Sequence, residues 1–137
     1  NALPSGARID LVAHSLGGVI ARLALDDPAT RARVGTLVTL GSPHAGSHLA
    51  RYGNTERARA LRPGSAALMR LDAQLPWARR RGWPRLVAFW SQADVIVIPA
   101  ESAQVPGATN IELAGVTHYS YLVLPECWRH VLDALAA

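Results

Sequence analysis

A chain of 137 residues, half of them apolar, is long enough for one domain with a real core, and none of its apolar runs reaches the roughly 20 residues of a membrane-spanning helix. The basic residues behind its net charge of +4 are all arginine, and the clusters Arg57/Arg59/Arg62 and Arg79-Arg80-Arg81 lack the interleaved aromatics and motifs of a nucleic-acid binder, so they read as a solvated surface facing, at most, lipid headgroups. Cys127 is alone, which excludes an internal disulfide, and no Cys/His cluster has metal-ligand spacing, so no metal or other cofactor is expected.

Asn1-Ala2-Leu3-Pro4 reads like the tail of a preceding helix, and the sequence is expected to be the C-terminal part of a longer protein. Pro4-Ser5-Gly6 is a turn, and Arg8 to Ala13 reads as a short buried strand. A helix-period pattern begins at once after His14-Ser15, with Leu16, Val19, Ile20, Leu23 and Leu25 on one side, and should end near Asp26-Asp27-Pro28, where proline blocks continuation. Val34 to Leu40 is a second strand, followed by the loop Gly41 to Ser47. Strand, helix and strand at this spacing imply a right-handed parallel crossover.

From about Ser47 to Pro84 the rhythm breaks. Two helix-like pieces fit, Glu56 to Leu61 and Ser65 to Leu75, with Leu49, Leu61, Leu68, Met69, Leu71, Leu75 and Trp77 forming an apolar underside. Two readings stand side by side: a lid-like insertion over a binding cleft, or a plain crossover helix covering the sheet. Alternation then resumes with a third strand from Arg85 to Trp90, a loop from Ala93 to Pro99, a short fourth strand from Asn110 to Ala114, a loop from Gly115 to Leu124, and an amphipathic helix from Pro125 to Ala137.

The chemistry concentrates at the first strand-to-helix turn. A serine on such a turn is lifted out of the sheet plane, and the N–H of Leu16, at the free start of the helix, is placed to face a developing oxyanion. Crowding there demands small neighbours, and Ala13, Gly17 and Gly18 supply them. Ser15 needs a base, and the base needs a carboxylate to set its tautomer. In an open parallel sheet these groups emerge at the C-terminal ends of strands. Asp94 lies just past the third strand and His118 just past the fourth, giving the order Ser, Asp, His. His14 adjoins the serine but should point to the opposite side of the turn; it and His44, on the loop after the second strand, are carried as substrate-binding candidates. His48 and His130 read as surface or structural, and Asp10, inside the first strand, is expected to pair with a neighbour.

Ala13-His14-Ser15-Leu16-Gly17-Gly18, then Leu40-Gly41-Ser42-Pro43-His44-Ala45-Gly46-Ser47, then Asp94 with Val97 and Pro99, then Gly115-Val116-Thr117-His118, resemble bacterial lipases and esterases of the α/β-hydrolase superfamily. The resemblance runs from Ile9 to about Pro125 and departs from the usual glycine-flanked elbow at Ala13. It implies a parallel sheet flanked by helices, here without the strands that precede the nucleophile elbow in the family. It also implies Ser15 as nucleophile, Asp94 as acid, His118 as base and the Leu16 amide as one oxyanion donor. A second donor is expected upstream of residue 1, leaving the isolated chain weak or inactive. A calcium site of the kind some lipases hold near the histidine loop finds no carboxylate in Thr117, Tyr119 or Ser120. The expected activity is hydrolysis of an acyl ester or lipid; the alternatives are acyl transfer by the same residues and a non-catalytic lipid- or protein-binding module on the same fold.

Overall fold

The structure, a computed structural model, describes residues 4, 6–77 and 80–137; the helix tail expected at Asn1 to Leu3, the centre of the turn at Ser5, and Arg79 of the arginine cluster lie outside the described residues. In chain order the elements are β1 (Ile9–His14), α1 (Leu16–Ala24), α2 (Pro28–Arg33), β2 (Val34–Leu40), α3 (Glu56–Ala60), α4 (Ala66–Asp72), β3 (Arg85–Trp90), β4 (Thr109–Glu112) and α5 (Pro125–Ala136). Single 3₁₀ turns at His48–Tyr52, Ala100–Ala103 and Ser120–Leu122 complete the loops. The strands form one sheet in the order β1-β2-β3-β4, every neighbouring pair parallel. This is the helix-flanked parallel α/β architecture that the alternation of elements implied.

Alternation along the central strands divides the core in two. Leu37, Leu86 and Ala88 face one side and pack with Leu25, Trp77 and Val105, while Val38, Leu40, Val87 and Phe89 face the other and pack with Cys127, Val131 and Ala134 of α5. Ile9, Leu11 and Ala13 of β1 join the first side. Its opposite side is thinly covered: β1 is an edge of the sheet, and Val12 is 40% exposed.

Several boundaries move for local reasons. Helix α1 stops at Ala24, and Asp27 caps a separate helix by accepting the Thr30 N–H at 2.7 Å, with Pro28 in its first turn. Ser65 is the cap of α4 and not its first residue, since its Oγ accepts the Leu68 N–H at 3.2 Å. Asp10 finds its neighbour in the β2 backbone, accepting the Thr36 N–H at 2.7 Å beside an irregularity in the β1–β2 register. A side chain at Gly35 would put its Cβ 2.8 Å from that carboxylate.

The segment between β2 and β3 is tied to α1 by packing and by polar bonds. Leu68 and Leu71 of α4 are buried against Val19, with Leu16, Leu23 and Leu61 around them. Arg22 is 1% exposed; its Nε donates to Gln74 Oε1 at 3.2 Å and its Nη2 to the Leu71 carbonyl at 3.0 Å. Gln74 returns a bond to the Arg22 carbonyl and another to Asp26. Burial lowers the Arg22 guanidinium to about 10 against the pull of Asp72 and Asp26. So α4 is held on α1 by both apolar and polar contacts. The expected apolar underside is correct for Leu68, Leu71 and Trp77, but Met69 and Leu49 are 64% and 40% exposed.

Candidate active site

Ser15 occupies the turn between β1 and α1 with φ 53° and ψ −128°, the left-handed half of the map that a side chain adopts only at a cost of about 1–3 kcal/mol. Its N–H donates to the Leu40 carbonyl of β2 at 3.0 Å, and the Gly18 N–H returns to its carbonyl at 3.1 Å. The turn is also crowded. A Cβ on Gly18 would fall 2.2 Å from Ser42 Oγ and 3.0 Å from Thr39, which explains glycine there and accounts for the close approach of α1 to β2. Ser15 is the N-cap residue of α1, yet its hydroxyl makes no capping bond. It faces away from the helix instead, and Oγ lies 2.9 Å from His118 Nε2.

His118 stands on the loop after β4, with side-chain exposure of 5%, and its Nδ1 lies 2.8 Å from Asp94 Oδ2. Because an ionised carboxylate only accepts, Nδ1 carries the proton and donates it to Asp94. Nε2 is left as the acceptor for the Ser15 hydroxyl. Asp94, on the loop after β3, is held on both oxygens. Oδ1 accepts the N–H groups of Ile96 at 2.9 Å and Val97 at 3.1 Å, and Oδ2 accepts from His118. Burial by itself pushes this carboxyl up, but the bonds from His118, Val97 and Ile96 outweigh it and hold the group below the usual carboxylate range. The acid is thus ionised whenever the histidine needs it.

The sequence-predicted residues separate at this point. Ser15, His118 and Asp94, from three different strand ends, are brought into one hydrogen-bonded line. Leu16 begins α1, and among the described residues its N–H has no acceptor, which leaves a free donor beside Ser15. His14, expected on the opposite side of the turn from Ser15, reaches the histidine loop: its Nε2 donates to the His118 carbonyl at 2.7 Å, and the two rings are 4.7 Å apart. His44 is corrected more strongly. It is 3% exposed, its Nε2 pairs with Thr39 Oγ1 at 3.1 Å and its Nδ1 has no partner among the described residues, so it has little surface to offer a substrate. Burial holds it well below the ordinary histidine value, with the Arg22 charge adding to the effect.

Two residues that sequence reasoning passed over lie on or beside the Asp94 loop. Ser47 Oγ donates to the Ile96 carbonyl at 2.8 Å and accepts from the Ile98 N–H at 3.1 Å, clasping the loop whose amides hold Asp94. Tyr121 is fully buried, and a Cβ on Gly41 would meet both its ring at 2.7 Å and Asp94 Oδ2 at 2.8 Å. Ser47 was visible only as the end of a Gly-Ser-Pro loop. Nothing in its spacing pointed to a partner 49 residues away.

Over nearly its whole length the chain superposes on solved lipases. A Bacillus licheniformis lipase in mature form matches with TM-score 0.63 and 20% identity, over 96% of this chain and 66% of that one. Aspergillus fumigatus lipase B matches with TM-score 0.63 and 22% identity, over 97% of this chain and 38% of that one. The chain has the α/β-hydrolase fold. The fungal match widens the resemblance beyond bacterial enzymes. In sequence, residues 1–58 match the PGAP1-like alpha/beta domain. The curated relatives are two GPI inositol-deacylases of Cryptococcus neoformans, each 54% identical over 37 residues, which is 27% of this chain and 5% or 4% of theirs. The chain therefore spans a small part of the curated relatives and about two thirds or less of the two lipases.

Proposed function

We propose that this α/β-hydrolase-fold chain cleaves carboxylic esters through an acyl-enzyme intermediate. The observation that carries the reading is the unbroken line from Ser15 Oγ to His118 Nε2 at 2.9 Å and from His118 Nδ1 to Asp94 Oδ2 at 2.8 Å. As the Ser15 oxygen attacks an ester carbonyl, His118 takes its proton, and Asp94 stabilises the imidazolium without itself being protonated. The Leu16 N–H donates to the oxygen that becomes negative in the tetrahedral intermediate. Collapse expels the alcohol with the proton from His118. Water, deprotonated by the same imidazole, then releases the acid and regenerates the serine. An acyl ester of a lipid is the substrate class in keeping with the lipases the fold resembles and with the relatives named deacylases.

The test is labelling with a fluorophosphonate, which reacts with an activated serine, followed by mass analysis of the modified peptide. The expected result is one adduct on Ser15, absent from Ser15→Ala. Labelling as strong in Ser15→Ala as in the unsubstituted protein overturns the reading.

A further inference from the structure

We infer that His14 is the positioning residue of the base loop: by donating its Nε2–H to the main-chain carbonyl of His118, it fixes where the His118 imidazole stands relative to Ser15. This rests on the proposed role of Ser15 and His118.

The base loop is poorly anchored by its own strand. β4 is four residues long and lies at the edge of the sheet, and three of those residues are exposed. The loop after it turns at Gly115, whose φ is 75°, and is held locally by bonds that stay within a few residues, Val116 to Leu113 and Ser120 to Thr117. Tyr119 just beyond His118 is 69% exposed. Val116 and Tyr121 pack into the core on either side and Asp94 holds Nδ1, but none of these bonds the His118 main chain, so the backbone that carries the imidazole is fixed only indirectly. Displacements on the order of 1 Å at reacting groups cost about a hundredfold in rate.

The bond from His14 fixes that backbone directly. Among the described residues the His118 carbonyl accepts no other bond, and the donor belongs to the residue immediately before the nucleophile. One 2.7 Å contact thus joins the serine turn to the backbone of its base, 104 residues along the chain. The frame on the His14 side is firm: His14 is paired with Leu40 in the β1–β2 ladder, and the next amide, that of Ser15, bonds the Leu40 carbonyl. The ring also lies 6.1 Å from that of Tyr119 and 6.3 Å from that of buried Tyr121, so the loop and the histidine constrain each other laterally. A neutral ring suits the task. Burial lowers the pKa of His14, outweighing the opposing effect of its bond to the His118 carbonyl, and the nearby His118 lowers it while Asp94 raises it. A charged His14 beside His118 would oppose the imidazolium formed during attack.

The variants that test this are His14→Leu, which keeps bulk without a donor, and His14→Gln, whose amide nitrogen reaches about as far as Nε2. Inactivation by a fluorophosphonate is measured over a range of probe concentrations, giving a maximal rate and a half-saturating concentration, with thermal melting as the check on folding. We expect His14→Leu to lower the maximal rate about 10- to 100-fold at an unchanged half-saturating concentration. His14→Gln should recover most of the loss. A Leu variant as fast as the unsubstituted protein overturns the inference, as does a Gln variant no faster than Leu when both melt normally. A raised half-saturating concentration at unchanged maximal rate would instead make His14 a substrate contact. Ser15→Ala separates the two levels: labelling that persists there removes the nucleophile, whereas labelling that needs Ser15 but ignores residue 14 removes only the positioning role.

Discussion

The two ends of the hydrogen-bonded line are built in opposite ways. At the acid end, Asp94 accepts three bonds, its loop is clasped by Ser47, and its side chain is 3% exposed. At the serine end, Oγ has the one bond to His118, the backbone is held at positive φ, and the capping bond a helix N-terminus normally gains is forgone. Under the proposed mechanism the acid end gains from rigidity, because its task is to fix a tautomer and a charge. In the same proposed mechanism the serine end exchanges the one partner it has among the described residues during attack, so extra bonds to Oγ would oppose the reaction. Backbone geometry, not side-chain bonding, therefore holds Ser15 in place.

Three experiments sharpen that contrast. The largest effect is expected from Asp94→Asn, which keeps the shape but favours the wrong histidine tautomer; labelling of Ser15 should slow by about four orders of magnitude. A loss below tenfold would mean that the acid end is structural only. Next is Gly18→Ala at the serine end, where the added methyl meets Ser42 Oγ and Thr39. Pushing α1 off β2 should lower stability by about 1–3 kcal/mol, read from denaturant unfolding, and should slow labelling beyond what the stability loss explains. An unchanged midpoint would show that the turn is looser than its packing indicates.

The smallest effect concerns the loop beneath the site. His44 is held neutral in the folded protein, while an unfolded histidine takes a proton near pH 6.5. Below that pH the unfolded state binds more protons, so stability should fall as pH drops, by up to about 1.4 kcal/mol per pH unit for this group. His14, also lowered, adds in the same direction. Asp94, whose value is depressed, contributes stability above the usual carboxylate range that is lost only at lower pH. Unfolding measured between about pH 6.5 and 5 thus isolates the histidines. His44→Gln should show a shallower slope than the unsubstituted protein; equal slopes would mean that His44 is not buried as a neutral ring.

What could be read along the chain was whatever depends on near neighbours. The parallel α/β pattern followed from apolar runs alternating with helix-period segments, and the serine turn from small residues flanking Ser15, because strand and helix crowd each other within a few residues. The order Ser15, Asp94, His118 was legible since each sits just past a strand, where clefts form. Tertiary structure decided the matters that join distant segments. The bond from His14 to the His118 carbonyl, the Ser47 clasp on the Asp94 loop, the burial of His44 and the docking of α4 on α1 through Arg22 and Gln74 all depend on how the elements meet. Hydropathy periodicity carries which face of an element is buried, but not which polar atom meets which. That pairing exists only once the sheet has set the spacing of its strand ends.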